Sequence, residues 1–340
     1  MKYSRLLICV LAIVSFCSCE RDEDDKVGLT KFLIYDIADP PINSGGTDEI
    51  KCIGIDSENS IWVGLNPLIK HNGQFWETYG QDIFGERNCC VNDIDFDSNN
   101  NVWFGTYNGL FKNNGEAWES HFYIAEHPFH TTIRCVHCDY QDKVWFAKGG
   151  TGLVCYDGTD WTTFEYQNTF PGMHIQKIIS DINGNIFIGC HDALYKYDGT
   201  EFIKFYFSKV KGENMNIQDL DFDKSGDLWI SCRSNLLVLR NNEFIEIDTN
   251  DIQNPLWDDY NWVASSVAIN NQNGEVVIGT WNTGIAFHNN QNTTFFRGNE
   301  FGIDSTHFQI NELAFDLSNN LWIVTRFGKI IVYNEKGIKL

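Results

Sequence analysis

Two groups of residues have side chains that could carry chemistry, a cysteine and histidine cluster and a scatter of single histidines. The cluster is Cys135-Val-His-Cys138, whose thiols and imidazole are ligand types that zinc prefers. Alternate side chains of a β-strand point to opposite sides, so Cys135 and His137 would face away from Cys138. Three residues placed in this way cannot easily share one metal ion. The sequence therefore favours buried thiols and predicts no metal site.

The single histidines are candidates for acid–base chemistry, because an imidazole titrates near neutral pH. They are His130, His174, His191 and His307, and each lies in a segment of irregular sequence. No Ser-His-Asp set or carboxylate pair can be recognised from spacing alone. We therefore predict binding rather than catalysis, assign no catalytic residue and expect no cofactor. A lyase or hydrolase that uses these histidines stays open as an alternative.

The segments that must position these residues form an internal repeat. Runs such as residues 217–222 alternate apolar and polar residues, as half-buried strands do, and Asp-led or Asn-led turns follow them. After each turn one apolar position recurs every 41 to 48 residues: Trp62, Trp103, Trp145, Phe187, Trp229, Val277 and Trp322. Four short strands fit into each unit. The sequence thus predicts an all-β fold, a seven-bladed β-propeller of four-stranded antiparallel blades.

The recurrent tryptophan and the turn before it both have structural explanations. A large ring at one fixed place in each unit packs one blade against the next, so we predict a core role for this column. The turn at residues 181–185, DINGN, has the spacing of the first ligands of a calcium loop. No Glu follows at the twelfth position, which is Asp192. We therefore predict structural hairpin turns.

The repeat resembles a known family. The phrase D-x-x-G-N-x-W-x-G-T followed by G-L, seen at residues 97–110 and more loosely in the other units, is similar to the two-component-regulator propeller repeat. That repeat builds the periplasmic sensor half of Bacteroidetes hybrid histidine kinases, many of which respond to glycan breakdown products. The chain shows no kinase or DNA-binding module after its seven units, so we expect it not to transduce a signal alone. Streptogramin lyases, with similar turns, place a histidine and metal-binding carboxylates at the mouth, which supports the enzymatic alternative.

The N-terminus predicts a lipoprotein. Lys2 and Arg5 precede an apolar run too short to span a bilayer, so residues 1–18 are interpreted as a signal peptide. Ser18-Cys19 resembles a bacterial lipoprotein cleavage site with Cys19 as the lipidated residue, and Cys17 stays open as the alternative. The acidic tether at residues 19–30 resembles a Bacteroidetes surface-export signal, and a solvated linker explains it equally well. We predict an outer membrane lipoprotein, on the cell surface or the periplasmic face, that contacts the membrane only through its lipid anchor.

The net charge and the chain ends bear on the predicted partners and on how the propeller ring closes. A formal net charge of -21 excludes nucleic acid as a partner, because such binding requires Lys and Arg to displace counterions. Residues 31–340 form the predicted propeller, in which the strand at 31–36 completes the last blade and removes an open edge. Residues 337–340 could compete for that place. Eight cysteines follow position 19, and the sequence predicts no particular disulfide pairing among them.

Long irregular loops on one side of the predicted propeller are the expected binding region, because the turns on the other side are short and repetitive. Flat tryptophan rings there could stack on a sugar while polar groups bind its hydroxyls. We predict a small polar ligand, a glycan fragment by the resemblance, with an envelope protein partner as a further alternative. The channel wall is predicted to hold Asp93, Asp95, His137, Lys177, Asp219 and Asp221. The predicted ligand-binding residues are Tyr107, Asn108, His130, Lys148, His174, His191, Arg233, Trp257, Trp262, Trp281, Asn282, His307 and Arg326.

Overall fold

The chain folds into seven four-stranded antiparallel sheets, one for each repeat, which confirms the predicted seven-bladed propeller. The computed structural model describes the backbone of residues 32–36 and residues 49–65, 68–80, 83, 90–122, 132–148, 152–172, 174–207, 215–233, 235–247, 263–281, 284–289, 293–301 and 308–334. Helix in these ranges is limited to one 3₁₀ turn, Gly298–Phe301, and the single helical residue Ile83. Nothing helical in the same ranges has the length and apolar character that a membrane crossing needs.

Blades 1 to 4 follow the repeat in chain order. Blade 1 holds β2 (Cys52–Ile55), β3 (Ile61–Gly64), β4 (Leu68–His71) and β5 (Trp76–Tyr79). Blade 2 holds β6 (Val91–Phe96), β7 (Val102–Thr106), β8 (Gly109–Asn113) and β9 (Trp118–Phe122). Blade 3 holds β10 (Ile133–Cys138), β11 (Val144–Lys148), β12 (Gly152–Tyr156) and β13 (Trp161–Glu165). Blade 4 holds β14 (Ile175–Ser180), β15 (Ile186–Cys190), β16 (Leu194–Tyr197) and β17 (Phe202–Phe205).

Blades 5 to 7 continue the pattern, and the last blade takes one strand from the opposite end of the chain. Blade 5 holds β18 (Ile217–Phe222), β19 (Leu228–Cys232), β20 (Leu236–Arg240) and β21 (Glu243–Ile247). Blade 6 holds β22 (Ala264–Ile269), β23 (Val276–Thr280), β24 (Ile285–His288) and β25 (Thr293–Phe296). Blade 7 holds β26 (Ile310–Phe315), β27 (Leu321–Thr325), β28 (Lys329–Tyr333) and, beside β28, the N-terminal strand β1 (Phe32–Asp36).

The first strands of the blades surround a central channel. They contact one another in the cyclic order β2, β6, β10, β14, β18, β22, β26 and back to β2. The turns after first and third strands share one side of this ring, named here the turn face. The connections after second and fourth strands share the other side, named the loop face. Every predicted ligand-binding residue that the structure describes belongs to the loop face.

The tryptophan column forms the core between blades, as predicted. Its five tryptophans are at most 6% exposed. Each indole Nε1 donates a hydrogen bond of 2.9 to 3.1 Å to the carboxylate that leads the preceding turn, in the pairs Trp62–Asp56, Trp103–Asp97, Trp145–Asp139, Trp229–Asp223 and Trp322–Asp316. The second oxygen of each of these carboxylates accepts backbone N–H groups of the turn, as Asp56 does from Ser60. The leading Asp therefore holds both the turn and the core ring.

The turn face is also bonded from blade to blade. The fourth residue of a turn has a left-handed φ of 60 to 64° in blades 1, 2, 3 and 7, which Asn and Asp tolerate better than most residues. In blades 1, 2 and 3 its side chain accepts a backbone N–H from the preceding blade at 2.7 to 2.9 Å, in the pairs Leu317–Asn59, Ser57–Asn100 and Ser98–Asp142. In blades 4 and 5 the fourth residue of the turn is a glycine, Gly184 and Gly226 respectively. These bonds join blades 7, 1, 2 and 3, across the point where the ring closes.

Candidate functional site

The predicted site residues divide into those that the structure describes and those that it does not. Cys19, His130, Trp257, Trp262, Asn282 and His307 lie outside the described residues. The others lie at the ends of second strands or in the connections of the loop face: Tyr107, Asn108, Lys148, His174, His191, Arg233, Trp281 and Arg326. They come from six blades, so the question is which of them share one site.

A pocket of about 130 Å³ opens between blades 3 and 4 and brings two predicted residues together, Lys148 and His174. The described residues that line it are Arg134, Ala147, Lys148, Gly152, Tyr166, Phe170, Gly172, His174 and Ile175. Arg134 and Tyr166 were not predicted from the sequence. Among its described residues the lining contains three basic side chains, the half-buried ring of Tyr166, the buried ring of Phe170 and no acidic side chain.

Two basic residues of the pocket occupy positions of the repeat that are neutral in most other blades. Arg134 is the second residue of its first strand, and the equivalent residues of the other blades are Lys51, Asn92, Gln176, Gln218, Ser265 and Asn311. Lys148 ends a second strand, where the equivalents are Leu65, Thr106, Cys190, Cys232, Thr280 and Thr325. The two meet because Ile133 and Lys148 are paired across β10 and β11, and a bulge follows Ile133. Aligning the repeats column by column would have identified Arg134.

The floor of the pocket is fixed by glycines and by a buried ring. Gly152 has φ of 128°, and a Cβ at this residue would collide with the backbone carbonyl of Phe164. A Cβ on Gly172 would lie 2.6 Å from the ring of Phe170, which is itself 1% exposed. The backbone carbonyl of Glu165 accepts N–H groups from residues 168, 169 and 170 at 2.9 to 3.2 Å. The pocket wall is thus held in place by its own backbone hydrogen bonds and close contacts.

A row of backbone hydrogen bonds extends from this pocket along the edge of blades 4 and 5. His191 N–H donates to His174 C=O, Asn216 N–H to His191 C=O, and Arg233 N–H to Asn216 C=O, at 2.8 to 3.2 Å. The imidazole rings of His174 and His191 are 5.9 Å apart, edge to face. Within the described part of the chain, no carboxylate is hydrogen-bonded to either ring. The row brings three predicted residues together but shows no acid–base pair among them.

The remaining described residues lie elsewhere on the loop face. Arg326 of blade 7 pairs with Glu49 at 3.1 Å, and Lys51 binds the other oxygen of the same carboxylate. Tyr107 in blade 2 is 42% exposed, and Asn108 N–H donates to Thr106 Oγ1 at 3.0 Å. Trp281 in blade 6 donates its backbone N–H to Val263. None of these four predicted residues lines the pocket between blades 3 and 4.

Carboxylates of the first strands link blade 2 to blade 3, blade 5 to blade 6 and blade 7 to blade 1 along the channel. Each accepts a backbone N–H from the neighbouring first strand at 2.8 to 3.0 Å, in the pairs Asp93–Val136, Asp95–Cys138, Asp219–Val267, Asp221–Ile269 and Glu312–Ile53. Lys177 crosses the channel from blade 4 and donates to Glu312 of blade 7 at 2.8 Å, with Asp219 at 3.7 Å. The predicted channel residues therefore serve first as links between blades.

Burial, together with the charges around Lys177, shifts the pKa values of the channel carboxyls. Burial raises the pKa of Asp93 to about 7, although Lys177 opposes the shift. Burial likewise raises the pKa of Asp221 to about 7, against the stabilising N–H of Ile269. Burial alone would lower the pKa of Lys177, but Glu312, Asp219 and Asp93 together hold it well above its usual range. The channel therefore keeps a charged lysine beside carboxyls that take up protons near neutral pH.

One hydrogen-bonded row in the channel has the connectivity of a catalytic triad. His137 Nδ1 lies 2.9 Å from Asp95 Oδ2, and His137 Nε2 lies 2.8 Å from Ser180 Oγ. The three residues occupy first strands of blades 2, 3 and 4 near the turn face, far along these strands from the loop-face pocket. His137 stands in the column of Asp95 and Asp221 and reaches the next blade as they do. By its position, this row of hydrogen bonds therefore links neighbouring blades, as the first-strand carboxylates do.

The thiols of the described residues are unpaired and mostly buried. Cys135 packs into the core between blades 3 and 4, whereas Cys138 belongs to the neighbouring core between blades 2 and 3. Burial raises the pKa of Cys232 to about 12. No cluster of three or more His, Cys, Asp or Glu side chains suited to a metal ion occurs in the part of the chain that the structure describes.

Comparison with solved structures shows what the fold is similar to. The extracellular domain of a hybrid two-component system from B. thetaiotaomicron superposes with a TM-score of 0.68 at 22% identity, over 86% of this chain and 39% of that one. A second such domain from the same organism gives 0.68 at 18% identity, over 85% and 40%. The chain thus spans about two-fifths of these sensor domains. A streptogramin B lyase gives 0.69 at 11% identity, over 89% and 97%.

These similarities agree with the propeller family that the repeat phrase predicted, and at this level of identity they establish the fold. No protein-family model matches the sequence, and a search of curated proteins gives no match. Sensor domains and a lyase share the architecture, so the fold by itself does not select between binding and catalysis.

Proposed function

We propose that the protein binds a small polar ligand, a glycan fragment, in the loop-face pocket between blades 3 and 4. The observation that carries the proposal is the meeting of Lys148 and His174 with the ring of Tyr166 above a floor fixed by Gly152 and Phe170. A sugar offers an apolar face to such a ring and hydroxyls to the polar groups around it. A pre-formed wall favours binding, because little conformational entropy is lost on association.

We further propose that this binding takes place in the cell envelope, with the chain held on the outer membrane through a lipid on Cys19. The support is the N-terminal sequence and the extracellular location of the sensor domains that share the fold. A protein that binds a saccharide there would act by capture or delivery.

The test is calorimetric titration of the full-length protein, purified in detergent, against a panel of oligosaccharides. Tyr166→Ala should weaken the affinity for any bound sugar at least tenfold, since aromatic anchors dominate such energies. Tyr140→Ala is the matched control, because Tyr140 is 58% exposed on the turn face. Equal binding by both variants, or a panel without any ligand, would overturn the proposal. A co-purifying protein that is released by Tyr166→Ala would favour a docking scaffold instead.

A hydrolase is the second candidate, and the row Asp95, His137 and Ser180 is the observation that favours it. A fluorophosphonate probe reacts with a serine that a neighbouring imidazole activates. Labelling of the native protein but not of Ser180→Ala would support hydrolysis in the channel. An unlabelled protein, combined with a lower melting temperature for His137→Ala, would identify the row as a structural link between blades.

A further inference from the structure

Lys177 serves three carboxyl groups that belong to three other blades. Its Nζ donates to Glu312 Oε1 of blade 7 at 2.8 Å and lies 3.7 Å from Asp219 Oδ1 of blade 5. Its charge also acts on Asp93 of blade 2. The side chains of Glu312 and Asp219 are 15% and 8% exposed, and Asp93 is 7% exposed. One ammonium group therefore faces three largely buried carboxyl groups.

The same three carboxyl groups link neighbouring blades. Each accepts a backbone N–H from the following blade, in the pairs Asp93–Val136, Asp219–Val267 and Glu312–Ile53. Glu312 and Asp219 use for this bond the oxygen that does not face Lys177. The bond of Glu312 joins blade 7 to blade 1, where the ring closes. The charges around Lys177 therefore bear directly on the closure of the ring.

The repeat places one residue of every first strand at the position of Lys177, and six of the seven are not basic. The residues at this position are Cys52, Asp93, Cys135, Lys177, Asp219, Ser266 and Glu312. Three of them are acidic and one is basic. The carboxyl groups of three blades therefore depend on a single cation at their own level of the channel.

Lys177 is the cation that opposes the rise in the pKa of Asp93 and of Glu312. Other titratable or charged side chains lie on the strands packed against β14 or across the channel: Cys52, Asp95, Arg134, Cys135, His137, Lys148, Cys190 and Asp221. Burial raises the pKa of the three thiols, so they stay uncharged near neutral pH. The two cations among these residues line the loop-face pocket, and His137 is hydrogen-bonded to Asp95.

Three ionised carboxylates around one ammonium leave two negative charges in excess, in a largely buried space where charges repel more strongly than in water. The pKa of Asp93 is raised to about 7, mainly by burial, so a change of pH near neutrality alters this excess. We infer that the group is a pH-sensitive device: Lys177 keeps the ring closed at neutral pH, whereas in mild acid the protonated carboxyl groups keep their backbone hydrogen bonds without it. A protonated carboxyl group still accepts an N–H through its carbonyl oxygen. The inference is independent of the proposed function, because the device acts without a ligand.

The test replaces Lys177 by methionine, which keeps most of the apolar stem and removes the charge. Melting temperatures of the full-length variant and of the unaltered protein are measured at pH 5 and at pH 8 in the same salt. Carboxyl groups with raised pKa values contribute less to stability as pH rises from about 4 to about 7, and this loss is larger when no ammonium opposes the rise. The fall in melting temperature caused by Lys177→Met should be at least about twice as large at pH 8 as at pH 5.

Two further variants make the test decisive. Lys70→Met is the control, because Lys70 forms its ion pair with the carboxylate of Asp56 at 3.5 Å and its side chain is 19% exposed, against 25% for Lys177. Its fall in melting temperature should be the same at both pH values. The double variant Lys177→Met with Glu312→Gln should melt at a higher temperature than Lys177→Met at pH 8, because the amide removes one charge and still accepts the N–H of Ile53.

Two results would overturn the inference. One is an equal fall in melting temperature at pH 5 and pH 8 for Lys177→Met, or a larger fall at pH 5. The other applies if Lys177→Met does not fold at pH 8. In that case a double variant that also fails to fold at pH 8 contradicts the inference, and a double variant that folds there supports it.

Discussion

Replacing tryptophan by phenylalanine should cost more stability in blade 3 than in blade 2, because the two turn carboxylates differ in their other partners. Trp145 Nε1 donates to Asp139 Oδ2 at 2.9 Å, and no other donor among the described residues reaches this oxygen. Trp103 Nε1 donates to Asp97 Oδ2 at 3.1 Å, but the same oxygen also accepts Asn101 Nδ2 at 2.8 Å. One substitution therefore isolates a buried carboxylate oxygen and the other does not.

The size of the difference follows from the burial of the two sites. Trp145 is 4% exposed and Trp103 is 3% exposed, so both variants should lose a similar packing energy of about 1 to 3 kcal/mol. An unsatisfied buried acceptor adds about 1 to 3 kcal/mol. We expect Trp145→Phe to destabilise the protein by about 1 to 2 kcal/mol more than Trp103→Phe. Blade 4 shows the relieved arrangement, since it carries Phe187 and its Asp181 Oδ2 accepts Asn185 Nδ2 at 2.6 Å.

The assay is urea unfolding of each variant, followed by circular dichroism and by the fluorescence of the remaining tryptophans. A second substitution provides the control. Lys143→Asn places the amide of blades 2 and 4 beside Asp139, and it should recover most of the additional loss in the Trp145→Phe protein. Equal losses in the two single variants, together with no recovery in the double variant, would refute the role given to the carboxylate.

Three other changes test the channel, the ring closure and the anchor. Asp221→Asn should lower the melting temperature most at pH 5 and least at pH 8. Because the pKa of Asp221 is raised, the native protein binds a proton at this residue more tightly than the unfolded chain does. The stability of the native protein therefore falls as pH rises toward 7, whereas the stability of the variant lacks this pH dependence. A deficit that grows with pH would contradict this, as thermal scans at four pH values can show. Asn59→Gly keeps a left-handed residue but removes the acceptor for Leu317 N–H, and should cost about 0.5 to 1.5 kcal/mol in urea unfolding. Cys19→Ala should move the protein from the membrane to the soluble fraction of cells, and retention by this variant but not by Cys17→Ala would assign the lipid to the other cysteine.

The repeat carried most of the fold prediction, because period and strand alternation are local properties of the chain. The column from Trp62 to Trp322 correctly predicted the number of blades and the core between them. The bond from each indole to its turn Asp could have been expected too, since the two are always six residues apart. Burial of the ring by itself already accounts for a recurrent tryptophan, so the repeat pattern alone does not point to this bond.

The site was harder to predict, because it depends on which blades are neighbours and how far side chains reach. Lys148 and His174 were selected singly, and their meeting depends on the contact between blades 3 and 4. The bulge after Ile133 that accompanies Arg134 cannot be deduced from alternation. The pair Lys177 and Glu312, 135 residues apart, requires the closed ring. Distances across a closed structure are set by the whole chain, and no short segment contains them.

Completion of blade 7 by β1 also governs when the protein can fold. Phe32 pairs with Tyr333, so β1 can pair with β28 only after about 300 further residues have been synthesised. Closing so long a loop is slow compared with forming a hairpin inside one blade. Individual blades can therefore assemble early, while the ring stays open until the last strand arrives. A chain that lost β28 during synthesis would be left with an incomplete blade at one end and an unpaired strand at the other.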